Sequence, residues 1–250
     1  MAMIFSVSIS AVYASRLSLL GLLLCPVAMV ARAQAPASFE LLTHRMDVDV
    51  DGAPNAYGPP GKPALDTLDH AHYMNREEDD IVGYLTDRHH RPILQGPNDP
   101  FPGYYISQTT FSDPKNENER DPRSYVDATK INYVVRGDAA KRHGVQVGDY
   151  VAVYSRRTHR SAFAIVGDTG NPSGDEGSLH LLNDLGYPFH NGVDDAVEDR
   201  EIVIRFYPRS NPQQLFFFTQ KDLDEAAAKV GINRDFSTSR LARPAHPTHH

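Results

Sequence analysis

The chain has 250 residues, a formal net charge of −7, a single cysteine and no tryptophan. A single cysteine excludes an intrachain disulfide and a zinc site built from several cysteines. The excess of acidic side chains disfavours nucleic acid as a partner. It would attract a cationic polymer, or it would simply keep an exported protein in solution.

The N-terminal segment has the pattern of a secretory signal peptide. An apolar run over residues 17–30 leads to an Ala-x-Ala sequence that ends at Ala33, a typical cleavage site. A membrane anchor is the alternative, but Pro26 interrupts the run well short of the roughly 20 apolar residues that a membrane-spanning helix needs. We expect residues 1–33 to be removed and the protein to be secreted. Removal of this segment would also remove Cys25 and leave the protein without a thiol. The remaining chain would contain 23 basic and 32 acidic side chains.

Proline and glycine interrupt residues 47–102, which predicts a loop-rich N-terminal lobe with short strands. Beyond it, β-branched and aromatic residues form six runs, which predict strands that close into a barrel or pack as a sandwich. We expect a mostly β, single-domain, barrel-like fold over residues 34–235, followed by a disordered tail over residues 236–250. The runs are residues 104–111, 125–135, 150–154, 162–166, 201–207 and 215–219.

Two short helices are predicted from signals at their ends. One covers residues 178–185 and has Ser178 as its N-cap, and the other covers residues 220–230 and has Thr219 as its N-cap. A glycine lies just beyond each C-terminus, and acids occupy the first turn of the second helix.

The sequence AIVGDTGNPSGDEGS, residues 164–178, contains the best candidates for catalysis. An apolar strand ends at Asp168, a seven-residue loop follows, and Glu176 precedes a helix. Such a loop can hold two carboxyl groups across a small gap. An inverting glycosidase needs this arrangement, because one carboxylic acid protonates the leaving oxygen while one carboxylate activates water. The alternative is an ordinary turn, in which Asp168 bonds its own loop and Glu176 caps the helix.

Several separated segments form a pattern: MDVDVDGAPNAY (46–57), GYYIS (103–107), DP (121–122), YVDATKI (125–131), GD (148–149) and the loop above. In this order they resemble the glycoside hydrolases of family 75, which are chitosanases. The resemblance implies a secreted endo-chitosanase that hydrolyses β-1,4 glucosamine linkages of chitosan or partially deacetylated chitin. It maps the catalytic pair onto Asp168 and Glu176. We expect Glu176 as general acid and Asp168 as general base, with inversion and without a metal or cofactor.

The chain departs from the family pattern at Asp175, where the family has glycine, and in the shorter spacing between Asp168 and Glu176. The extra acid could raise the pKa of Glu176 by repulsion, which suits a proton donor, or it could compete for the role. The turn after the strand is also similar to turns in double-psi barrels, so a barrel of that type is one expectation for the fold.

Alternating acids at Asp47, Asp49 and Asp51 permit two interpretations besides a solvated strand face. The D-x-D-x-D-G sequence of residues 47–52 matches the first positions of a calcium-binding EF-hand loop, but the twelfth position is Gly58 instead of the required glutamate. On a strand, they would share one face. If that face borders the cleft, the three acids would bind the ammonium groups of glucosamine units.

Sugar-binding clefts use aromatic rings, and in the absence of tryptophan the candidates are Tyr57, Tyr104 and Tyr105. Lys130 is expected either to orient substrate or to form a surface ion pair with Asp127.

The histidines do not have the spacing of a zinc hydrolase, and no G-x-S-x-G motif of a serine hydrolase is present. His70, His72, His89 and His90 are therefore expected to be surface histidines. The alternative function is a non-catalytic polysaccharide-binding module on the same fold.

Overall fold

The computed structural model describes residues 36–73 and 80–243. One sheet contains the eight strands of this part of the chain, and it curls into a half-barrel. The predicted mostly β single domain is confirmed. The strands are β1 (Phe39–Leu42), β2 (Met46–Asp49), β3 (Tyr133–Val135), β4 (Tyr150–Ser155), β5 (Ser161–Asp168), β6 (Glu176–Ser178), β7 (Ala196–Val197) and β8 (Ile202–Phe206). The helices are α1 (Asp138–Arg142), α2 (Leu179–Asp184) and α3 (Gln220–Lys229), with 3-10 turns at Leu68–Ala71 and Pro122–Ser124.

Strand direction changes across the sheet, whose order is β1-β8-β4-β5-β3-β6-β2-β7. β1, β8, β4 and β5 pair antiparallel, with Val151 on β4 opposite both Phe206 and Ala164. β3 pairs parallel with β5 and antiparallel with β6, and β2 pairs parallel with β6. Parallel neighbours require long crossover connections. Residues far apart in sequence therefore meet at one edge of this sheet.

The centre of the core is formed by β4, β5 and β8. All five residues of β8 are buried, and so are seven of the eight residues of β5. Strands covered on both faces need no polar alternation, which explains why these three strands are mostly apolar, with valine, isoleucine, alanine and aromatic residues. Helix α3 packs near β5 and buries Leu223 and Ala227. Each large aliphatic side chain buried in this way contributes about 1.5–3 kcal/mol.

Both predicted helices are confirmed, with the predicted caps. The Ser178 hydroxyl accepts a hydrogen bond from the Leu181 N–H at 3.1 Å at the start of α2. The Thr219 hydroxyl accepts one from the Asp222 N–H at 3.2 Å at the start of α3. These bonds satisfy N–H groups that have no partner within the helix. None of the described helices has the length and apolar character that a bilayer span requires.

The sheet contains no strand from two of the predicted runs, residues 104–111 and 215–219, and only residues 133–135 of the run over residues 125–135. Residues 104–107 bond instead to the N-terminal lobe, where the Ile106 N–H donates to the Ile93 carbonyl at 3.0 Å within a set of isolated bridges. Residues 215–219 form no strand, and the Asn211 side chain bonds both the N–H and the carbonyl of Leu215. A side chain that occupies backbone groups in this way competes with a sheet ladder.

The chain beyond Phe236 packs on the domain as far as Arg243, although its composition predicts a disordered tail from residue 236. The Phe236 ring is buried, stacks on Tyr154 at a centroid distance of 5.2 Å, and lies 4.1 Å from the Arg205 guanidinium. One aromatic anchor therefore overrides a polar composition. The predicted signal peptide and residues 244–250 lie outside the described residues.

Candidate functional site

The two predicted catalytic carboxyls flank the end of β3. Asp168 ends β5 and lies opposite Val135, while Glu176 begins β6, whose next residue Gly177 lies opposite Val134. β5 and β6 run in opposite directions on either side of β3. The last residue of one strand therefore reaches the same edge of the sheet as the first residue of the other, and both side chains line one cavity.

Glycines permit close backbone approaches around the loop that joins the two acids. A Cβ on Gly167 would lie 2.6 Å from the Tyr133 ring, and one on Gly137 would lie 2.6 Å from the Gly174 nitrogen. Gly174 also has a φ of +71°, a left-handed conformation that favours glycine. The loop could not keep this geometry with larger residues at these three positions.

We call the space above this edge the acidic cavity. Its volume is about 710 Å³. Among the described residues, ten acidic side chains line it, against one arginine, Arg45, and two histidines, His70 and His72. A cleft lined by one sign of charge concentrates ligands of the opposite sign. The acids are Asp47, Asp49, Asp51, Asp66, Asp69, Asp168, Glu176, Asp194, Asp195 and Glu198.

Asp168 is buried and firmly held. Its Oδ1 accepts hydrogen bonds from the Thr110 N–H at 2.9 Å, the Thr110 hydroxyl at 2.7 Å and the Thr169 N–H at 2.7 Å. Burial raises the pKa of Asp168 to about 6, although the bonds from Thr110 and Thr169 lower it. The other oxygen, Oδ2, has no hydrogen-bond donor among the described residues, so it is the oxygen available for proton transfer.

Glu176 is held by a single amide. Nδ2 of Asn171 donates to Oε1 of Glu176 at 2.9 Å. The Oδ1 of Asn171 accepts from the Ser173 N–H at 2.9 Å and from its hydroxyl at 2.8 Å, which fixes the orientation of the amide. Burial raises the pKa of Glu176 to about 7, the Asn171 bond lowers it, and the charge of Asp168 raises it further. The two acids lie close enough that ionisation of Asp168 makes ionisation of Glu176 less favourable.

A second pair of acids lies beside this one. Asp49 and Asp51 have pKa values raised well above the ordinary range, first by burial. The charges of Asp168 and Glu176 raise both further, and the charge of Asp49 is the largest of the charge effects on Asp51. The Tyr57 hydroxyl donates to Oδ1 of Asp51 at 2.7 Å. Four carboxyls thus share one region, which favours partial protonation.

The run from Asp47 to Asp51 does not adopt the loop that the EF-hand interpretation requires. Asp47 and Asp49 lie on β2, half-buried on one face, while Met46 and Val48 are buried on the other. Asp51 follows in a turn. The alternation is therefore that of a strand whose acidic face borders the cavity.

Tyr104 and Lys130, two residues predicted to bind substrate, do not line the acidic cavity. The Tyr104 hydroxyl donates to the Pro63 carbonyl at 2.5 Å. Lys130 forms a 2.7 Å ion pair with Asp127, and its side chain is 63% exposed. Lys130 therefore forms the surface ion pair with Asp127 that was the alternative to a role in substrate binding. Tyr57, by contrast, lies in the cavity wall.

Asp175, the acid next to Glu176, does not line the cavity either. Burial is the largest cause of its raised pKa, and its charge contributes only a minor rise to that of Glu176. On position alone, Glu176 is the better placed of the two to donate a proton into the cavity.

Sequence reasoning missed Thr110 and Asn171 as partners of the two acids. Thr110 is 58 residues from Asp168 along the chain, and no local pattern connects them. Asn171 lies within the loop between the two acids. Asparagine is common in turns, so nothing in the sequence indicated its hydrogen bond to Glu176. Sequence reasoning also missed the cavity acids near Asp195, because the loop that contains them has no recognisable motif.

The chain was compared with protein-family models and with curated proteins, and neither comparison found a match. The site must therefore be interpreted from its own residues.

Proposed function

We propose that this protein is a secreted endo-chitosanase that hydrolyses β-1,4 glucosamine linkages with inversion, in the manner of family 75 glycoside hydrolases. One observation carries the proposal: Asp168 and Glu176 line one acidic cavity, and burial raises their pKa values to about 6 and about 7. Near neutral pH these values favour one ionised and one protonated carboxyl, the state that acid–base cleavage of a glycosidic bond requires.

In the proposed reaction, Glu176 gives its proton to the glycosidic oxygen as the bond from that oxygen to the anomeric carbon breaks. Asp168 takes a proton through Oδ2 from a water molecule, whose oxygen forms the new bond to the anomeric carbon from the opposite face. The three hydrogen bonds to Oδ1 orient the Asp168 carboxylate. Asn171 orients the carboxyl of Glu176 through the other oxygen, Oε1, and leaves Oε2 to carry the proton.

The charge of the acidic cavity supports glucosamine as the substrate unit. Of the described side chains that line this cavity, ten are acidic and one is an arginine, and this excess of acids attracts ammonium groups. One ammonium at about 5 Å from a carboxylate gains about 3 kcal/mol at the effective dielectric near a protein surface, before desolvation is subtracted. Asp47 and Asp49 lie on the face of β2 that borders the cavity. An ammonium group there would compete with Arg45 for Asp47, and its charge would favour ionisation of the buried Asp49. A neutral polymer such as cellulose has no ammonium group and would gain none of this ion-pair attraction.

The test is release of reducing ends from chitosan, chitin and carboxymethylcellulose by the purified protein. We expect activity on chitosan, and a loss of about 10²–10⁴-fold in D168N and in E176Q, the usual contribution of one acid or base. D175N is the matched control, because it removes an adjacent acid outside the cavity, and it should retain most of the activity.

Two outcomes would contradict the proposal. Activity confined to chitin or carboxymethylcellulose would show that the substrate is wrong. Sedimentation with chitosan without turnover by the unaltered protein would favour a polysaccharide-binding module. In the proposed enzyme, D168N and E176Q should still sediment with chitosan, since each variant keeps nine of the ten cavity acids.

A further inference from the structure

Arg45 is the only lysine or arginine among the described side chains that line the acidic cavity. Its guanidinium bonds to Asp47 and lies 3.3 Å from Glu198, and both of these acids also line the cavity. A surface that attracts cations therefore already holds, in the free protein, a cation of the chain itself.

The carboxyl that Arg45 occupies lies beside the proposed general acid. Asp47 is opposite Glu176 in the parallel pairing of β2 with β6, and the Asp47 N–H donates to the Asp175 carbonyl at 2.9 Å. Burial is the largest cause of the raised pKa of Glu176, and the charge of Asp47 raises it further. An ammonium group that binds Asp47 would therefore lie near the linkage that Glu176 protonates.

The contact between Arg45 and Asp47 is open to exchange. The side chain of Arg45 is 48% exposed, that of Asp47 is 41% exposed and that of Glu198 is 67% exposed. Exposed ion pairs are weak, because water and salt screen the two charges. Arg45 directly precedes β2, so rotation about its side-chain bonds can move the guanidinium away while the strand stays in place.

We propose that Arg45 competes with the substrate for Asp47. The guanidinium occupies Asp47 in the free protein, an ammonium group of chitosan displaces it on binding, and it returns when the product leaves. The inference rests on the proposed chitosanase function and deepens it, since it assigns a residue that sets the affinity of the cavity. An ammonium group can replace the guanidinium because it carries the same charge. Arg45 therefore weakens the binding of both substrate and product, and it takes no part in proton transfer.

The test is a double-mutant cycle of R45Q, D47N and R45Q/D47N, assayed on chitosan at an ionic strength of about 0.15 M. R91Q is the matched control, because Arg91 forms an exposed ion pair with Asp87 outside the acidic cavity and its loss changes the net charge equally. We expect R45Q to lower KM about three-fold, within the range of one exposed ion pair, and R91Q to leave KM unchanged. D47N should raise KM. In the D47N background, adding R45Q should change KM by less than about 1.5-fold.

Three results would overturn the inference. Equal effects of R45Q on KM in the two backgrounds would show that Arg45 acts only through long-range charge. An unchanged KM in D47N would show that the substrate never displaces the guanidinium. A fall in kcat in R45Q with no change in KM would show a role in the reaction itself.

Binding of glucosamine oligomers, measured by calorimetry, gives a readout without turnover. All proteins in this measurement carry E176Q to prevent cleavage. Oligomers should bind about three-fold more tightly when R45Q is added and with unchanged affinity when R91Q is added; equal affinities in all three proteins would contradict the competition. If the unaltered protein cleaves no chitosan, the proposed function fails. Calorimetry then still decides whether Arg45 competes with bound ammonium groups.

Discussion

The strongest physical prediction concerns the effect of D168N on stability. Burial raises the pKa of Asp168 from its ordinary value of 3.8 to about 6. The folded state therefore binds this proton more tightly than the unfolded state does, so ionisation of Asp168 destabilises the fold. This penalty is absent below about pH 3.8, grows as the pH rises, and is complete above about pH 6.

The size of the effect follows from the same shift. A rise from 3.8 to about 6 corresponds to about 3 kcal/mol at 1.36 kcal/mol per pH unit. Asparagine removes the charge and keeps an oxygen that accepts from Thr110 and Thr169. We expect D168N to be more stable than the unaltered protein by about 3 kcal/mol at pH 8, or about 6–12 °C in Tm. At pH 3.5 the two proteins should be nearly equal.

Urea unfolding at pH 8 and at pH 3.5 measures this difference. D138N is the control, because Asp138 is exposed in the first turn of α1, and it should change stability by less than about 1 kcal/mol at both pH values. If D168N gains no stability at pH 8, or gains the same amount at both pH values, the burial of a charge at this position is not what raises the pKa.

Three further predictions concern the site. The pH profile of kcat/KM on chitosan should be a narrow bell whose limbs lie near 6 and 7, because the base must be ionised and the acid protonated; a flat profile from pH 4 to pH 9 would contradict this. N171L removes a bond that lowers the pKa of Glu176, so the upper limb should move to higher pH, which the same profile measures. G167A places a methyl group 2.6 Å from the Tyr133 ring and should cost about 1–3 kcal/mol in urea unfolding. G96A, whose added carbon would have its nearest contact at 3.5 Å, should cost about 1 kcal/mol or less.

The sequence alone determined the elements whose signals are local. The central strands β4, β5 and β8 were predicted from runs rich in β-branched and aromatic residues, which are typical of strands. The caps Ser178 and Thr219 marked the starts of two helices, since a hydroxyl there bonds N–H groups three residues away. The prediction of Asp168 and Glu176 as the catalytic pair was also local, because it rested on one loop and on the resemblance to a known family.

Only the tertiary structure decided which distant residues share a surface. The parallel pairing of β2 with β6 brings Asp47 opposite Glu176, and the pairing of β3 with β5 sets the position of Asp168. The same topology leaves Lys130 outside the acidic cavity and places Arg45 in its wall. Such contacts depend on crossover connections and on packing over the whole chain, and no local pattern of residues encodes them.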